Sequence, residues 1–199
     1  MGAFQHARSA GIGGAALALL LGLNGPVFAQ AINGTAGPDH IDGTASADTI
    51  RARAGADSVF AKSGADTVYG GAGRDLLDLG FGDDTGYGGT GGDEIHGGPG
   101  ADELVANGGS NTMFGGPQAD RLWDGAGNDT LVAGHGNDRA VMNSTGEDNV
   151  NLGDGADILR VTNDGQVDNF DGGDGNDTVV VVGTLDPNDT FSNFENGLP

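Results

Sequence analysis

One apolar residue returns every nine positions along most of the chain: Ile41, Ile50, Val59, Val68 and Leu77, a gap at Gly86, then Ile95, Leu104, Met113, Leu122, Leu131 and Ala140. After one extra residue the series resumes at Val150 and Leu159, and after two more at Phe170 and Val179. A period of nine is neither the 3.6 of a helix nor the plain alternation of a long strand. It predicts a short strand with one inward side chain, followed by a tight turn, repeated. Two such units make a closed coil of eighteen residues, and successive coils stack as parallel strands about 4.8 Å apart. Sixteen units give about eight two-strand coils, an all-β solenoid whose core is two facing columns of these residues. Gly86 and Ala140 thin that column, so local weakness is expected there.

The residues between the apolar positions are as regular. In Gly88–Val105, GGTGGDEIH is followed by GGPGADELV, two copies of G-G-x-G-x-D-x-U-x with U apolar. Glycine permits the positive φ angles of a tight reversal. The sixth position is Asp39, Asp48, Asp57, Asp66, Asp75, Asp84, Asp93, Asp102, Asn111, Asp120, Asp129 and Asp138, then Asp148, Asp157, Asp168 and Asp177. The fourth is Gly except at Ser46, Gln118 and Gln166. Turns are therefore specified more tightly than strands. Stacking brings each carboxylate to its counterpart one coil away, for example Asp75 to Asp93. Two carboxylates ~5 Å apart repel by about 3 kcal/mol at an effective dielectric of 20, and the ladder repeats this along both edges. A cation between them removes the penalty. Carboxylates plus many carbonyls in an irregular cage suit calcium better than magnesium, which demands a tighter octahedron.

This nonapeptide resembles the repeat-in-toxin (RTX), or hemolysin-type, calcium-binding repeat. The resemblance implies a right-handed parallel β-roll with several Ca2+ ions held between stacked GGxGxD turns. On the quality of the turns, Asp75, Asp84, Asp93, Asp102, Asp120, Asp129, Asp138, Asp157 and Asp177 are the leading metal ligands. Asp39, Asp48, Asp57, Asp66, Asn111, Asp148 and Asp168 are expected to be weaker. Ala52-Arg53 and Ala61-Lys62 stand where Gly-Gly is expected, Asn111 lacks the charge, and the insertions before Asp148 and Asp168 are expected to disturb the stacking.

Composition narrows the function. The 199 residues include 8 Lys+Arg against 29 Asp+Glu, a net charge of −21, which argues against a nucleic-acid partner. There is no Cys, hence no disulfide framework or thiolate zinc site. Neither an H-E-x-x-H nor a G-x-S-x-G motif is present, and His40, His96 and His135 fall at unrelated repeat positions, so no enzyme is expected. Residues 1–29, with Arg8, the apolar run Ala15–Leu23 and a closing Pro26-Val27-Phe28-Ala29, read as a secretory signal cut near Ala29. That run is shorter than the ~20 residues of a membrane span. The expected organisation is a signal at 1–29, a calcium-binding roll at 30–180 and a C-terminal cap at 181–199, in which Val179–Val182 covers the last open coil. The mature chain would then work outside the cytoplasm, in the medium, the periplasm or at a cell surface.

Outward positions of the strands offer a second chemistry. One face lines up Arg51, Tyr69, Tyr87, Val105, Trp123 and Val141, and the opposite face Phe60, Asp78, His96, Phe114 and Val132. Such rows serve either to stiffen the rod by stacking or to contact a glycan, another protein or a second copy. An adhesion or binding module is therefore the alternative to a purely calcium-stiffened rod.

Overall fold

The computed structural model describes residues 29–197 apart from 144, 163 and 185. Every regular element in it is a strand, and every strand pairing is parallel. The chain alternates between two sheets. One has nine strands, from Ala31–Asn33 to Thr178–Val182, and the other has ten, from His40–Asp42 to Thr190–Ser192, counting a short Asp174–Gly175 strand beside it. This is a parallel β-solenoid of about nine turns, a β-roll. The turn beyond the expected eight comes from the ends, because Ala31–Asn33 extends one sheet before the first full repeat and Thr190–Ser192 extends the other after the last.

Registers follow the repeat. Ile50 pairs with Val68, Val68 with Gly86 and Gly86 with Leu104, so eighth-position residues lie one above another. These side chains form the core, nearly all fully buried. They are not its only members. Several strands run six residues, such as Thr49–Ala54 and Thr67–Ala72, continuing past the ninth position into the next turn. Alternation then turns the first position of that turn inward as well. Ala52, Ala61, Leu79, Ala106, Ala133 and Leu152 occupy it and are buried beside the main column.

This second inward position corrects the expected weak spot at Gly86. Leu79 fills the space. A Cβ built on Gly86 would stand 3.0 Å from Leu79 Cδ1 and 3.3 Å from Ile95 Cγ2.

The insertions also fail to break the stack. Asp129 and Asp148, nineteen apart, and Asp148 and Asp168, twenty apart, keep the hydrogen bond made by members eighteen apart. The extra residues are absorbed away from the strands, so Thr130↔Asn149 and Asn149↔Asn169 remain in register. At the C-terminal end, Thr178–Val182 is the last strand of its sheet, bridged from Thr178 to Asn196. Phe191 packs on Phe170 at 5.0 Å and meets Phe194 edge-on, closing the apolar column. The proposed leader lies outside the described residues except for Ala29.

Candidate metal centre

From Asp57 onward, each sixth-position side chain is held by the coil before it. Its Oδ1 accepts a hydrogen bond from the backbone N–H of the sixth residue one coil earlier, at 2.6–2.9 Å from Asp39→Asp57 through to Asp157→Asp177. The sixteen predicted residues therefore form two ladders, one on each edge. Asp39, Asp57, Asp75, Asp93, Asn111, Asp129, Asp148 and Asp168 make the first, and Asp48, Asp66, Asp84, Asp102, Asp120, Asp138, Asp157 and Asp177 the second. All sixteen are buried, none more than 6% exposed.

Two further rungs escape the nonapeptide pattern. The N–H of Asp168 donates to Asp189 Oδ1 at 3.1 Å, and that of Asp177 to Glu195 Oε2 at 2.8 Å. Both follow the last recognisable turn, where no glycines mark the position. The only signal was an acid about one coil further on.

The other carboxylate oxygen is the informative one. Oδ2 of Asp57, Asp66, Asp75, Asp84, Asp93, Asp102, Asp120, Asp138, Asp157 and Asp177 is buried with no hydrogen-bond partner. Leaving a buried charged acceptor unsatisfied is costly, so ten repetitions call for a ligand. A main-chain oxygen faces the same space. A Cβ on Gly70 would stand 2.7 Å from Asp75 Oδ2 and 2.5 Å from the Gly88 carbonyl oxygen. On Gly88 it would meet Asp93 Oδ2 at 2.7 Å and the Ala106 carbonyl at 2.8 Å; on Gly115, Asp120 Oδ2 at 2.6 Å and the Ala133 carbonyl at 2.5 Å. Hard, partly charged oxygens of this kind suit calcium, and at these three turns glycine leaves the space beside them open, whereas the turns of Asp57, Asp66, Asp84, Asp138 and Asp157 carry Ala or Leu at that position. Among the described residues no three His, Asp or Glu side chains gather at one point. This accords with sites built from one carboxylate per turn and backbone carbonyls.

Electrostatics carry the same message. Burial, opposed by the amide hydrogen bond and reinforced by neighbouring carboxylates, pushes Asp84, Asp120 and Asp148 up to about 7. Burial likewise raises Asp75, Asp102, Asp129, Asp157 and Asp168 to about 6. Without a cation the ladder holds protons near neutrality, and a bound cation would restore the carboxylates.

Of the two cations expected to spoil the early turns, Lys62 points elsewhere. Lys62 Nζ lies 3.3 Å from Asp42 Oδ1, on the outer surface. Arg53 and Lys62 hold the turn conformation of their glycine counterparts, with φ of 85° and 83°. Asp57 and Asp66 accordingly share the carboxylate arrangement of Asp75.

The model of one family, described as RTX calcium-binding nonapeptide repeat (4 copies), matches residues 33–67, 54–86, 87–122, 114–140 and 164–180. No curated protein matches the chain.

Proposed function

Because the chain belongs to the RTX calcium-binding nonapeptide repeat family, we propose that it is a secreted β-roll in which Ca2+ bound between stacked turns folds the chain and stiffens it. The observation that carries this reading is the set of ten buried, unpartnered Asp Oδ2 atoms. The metal is structural in this account. It supplies charge compensation for the ladder, while Oδ1 and the amide hydrogen bonds orient each carboxylate and the first-position backbone carbonyls complete the donor set. Binding free energy is then folding free energy. Calcium titration of the purified chain, followed by circular dichroism, tests it. A cooperative gain of β-signal is expected, with a midpoint around 10⁻⁴–10⁻³ M as in extracellular calcium modules. A β-rich spectrum indifferent to chelator would overturn it. The secretory part is tested by expressing the whole chain and sequencing the N-terminus of the exported product, which should begin near Gln30.

A second reading, an extracellular interaction module, is favoured by one sheet's outer surface. There Arg121 and Arg139 are direct cross-strand neighbours, and Trp123 and Arg160 flank Val141, which is itself buried. Ile158 and Val180 nearby are 41% and 43% exposed. Among the described residues these arginines make no ion pair within 4.0 Å, although the chain is strongly acidic. The surface suits an acidic partner with apolar portions.

A further inference from the structure

We infer that the two edges of the roll bind calcium unequally: one carries an unbroken row of sites from Asp66 to Asp177, while the other is interrupted after Asp93, at Asn111 and Asp129. The inference rests on the calcium reading and adds where the ions sit.

The turns exist in two conformations, set by the second residue of the repeat. In all ten turns whose Asp Oδ2 is unpartnered, that residue has positive φ, between 83° and 125°. Gly71 before Asp75 and Gly80 before Asp84 are typical. Three turns share a different arrangement. The second residues Thr35, Thr44 and Gly125 do not adopt positive φ, and each instead donates its own N–H to the Oδ2 of its turn. Thr35 reaches Asp39 at 2.5 Å, Thr44 reaches Asp48 at 2.7 Å and Gly125 reaches Asp129 at 3.2 Å. These turns are closed, with the amide occupying the acceptor a cation would need.

Sequence explains the choice. Positive φ is a severe outlier for a β-branched residue, so Thr35 and Thr44 dictate closure. Gly125 follows Asp124, a buried acid at a position elsewhere Gly, Ala, Leu or Asn, which accepts the Asn143 N–H at 3.1 Å. Asn111, one coil before Asp129, adds an internal donor. Its Nδ2 hydrogen-bonds Asp129 Oδ1 at 3.0 Å and the Gly109 carbonyl at 2.9 Å, so an amide NH2 stands where a cation would.

The distribution between edges is lopsided. Asp66, Asp84, Asp102, Asp120, Asp138, Asp157 and Asp177 are seven consecutive open turns on one edge. On the other, Asp57, Asp75 and Asp93 are open, and the row is then interrupted at Asn111 and Asp129, which have internal partners.

The test compares isosteric substitutions on the full chain, Asp120→Asn in an open turn and Asp129→Asn in a closed one. Equilibrium dialysis counts bound calcium, and circular dichroism gives the calcium midpoint. Asp120→Asn should lower the ion count and raise the midpoint several-fold, while Asp129→Asn should leave the count unchanged and move the midpoint less than twofold. Asp84→Asn replaces Asp120→Asn if the latter does not fold. Equal losses from the open-turn and closed-turn variants overturn the inference. A parent chain that binds no calcium overturns the underlying reading instead.

Discussion

Leu79 reaches beneath Gly86, its Cδ1 standing 3.0 Å from where a Cβ on that glycine would lie, so the first-position side chain of a repeat replaces the missing eighth-position side chain of the same repeat. Both belong to one packing unit with Ile95 and Leu104. Leu79→Ala should therefore cost about 2–5 kcal/mol in saturating calcium, the range for a fully buried leucine. Adding Gly86→Leu to Leu79→Ala should recover part of that loss. Urea unfolding of the four species in calcium measures the coupling, and simple additivity would show that the two positions do not share a cavity.

Glycine at the fourth position is a matter of contact as well as φ. A Cβ on Gly73, whose φ is +135°, would run into the carbonyl oxygen of Gly55 in the coil below, whereas one on Gly37 meets nothing within 4 Å. Gly73→Ala should thus be severely destabilising and Gly37→Ala nearly silent. Thermal melts of both variants in calcium check this, and similar melting temperatures would contradict the stacked-backbone account.

The proton and calcium should compete for the ladder. Carboxyls whose folded pKa is raised stabilise the roll at pH below their ordinary value of 3.8, and that contribution is lost as pH rises through the folded values of about 6 to 7. The calcium-free chain is therefore expected to hold more β-structure at about pH 5 than at about pH 8; calcium should restore it at about pH 8 with little proton release, and should displace protons from the folded ladder at about pH 5. Circular dichroism in chelator across that range, with calorimetry in two buffers of different ionisation enthalpy, tests the sign. A calcium-free chain more structured at the higher pH would refute it.

Tyr69 and Tyr87 stack at 4.9 Å with planes 7° apart, and Arg51 lies over Tyr69 at 5.1 Å. The aromatic row is thus largely occupied with itself. Replacing Tyr69, Tyr87 and Trp123 together by Ser should lower stability by a few kcal/mol at most, since each stacked pair contributes about 0.5–1.5 kcal/mol beyond its burial. If this surface also holds an acidic polymer or a second copy, the variant will lose retention on anionic polysaccharide or self-association while keeping its fold.

The nine-residue spacing made the roll, its parallel register and the inward column legible before any coordinates, because turn and strand are both written into each unit. The second inward column was also present, as period-two alternation from Ile50 to Ala52 and from Leu77 to Leu79, but the consensus glycine at that position masked it. Asp ladder membership could be read from spacing alone up to Asp177. Asp189 and Glu195 could not, since they take their places through the C-terminal strand and bridge rather than a glycine turn. The expected weakness of the Arg53 and Lys62 turns rests on their charge, which says nothing of backbone conformation. In the folded chain both residues take the positive φ of their glycine counterparts, and Lys62 pairs with Asp42 on the outer surface.

The Oδ1 ladder has a direction. Each sixth-position amide finds its acceptor on the coil that follows it in the chain, never on the one before, until Asp189 and Glu195 end the two rows. A polypeptide that emerges N-terminus first can therefore never finish its newest coil, which waits with two bare amides for residues not yet delivered. Completion always lags about eighteen residues behind the exit, and the last coil closes only when the two terminal acids arrive.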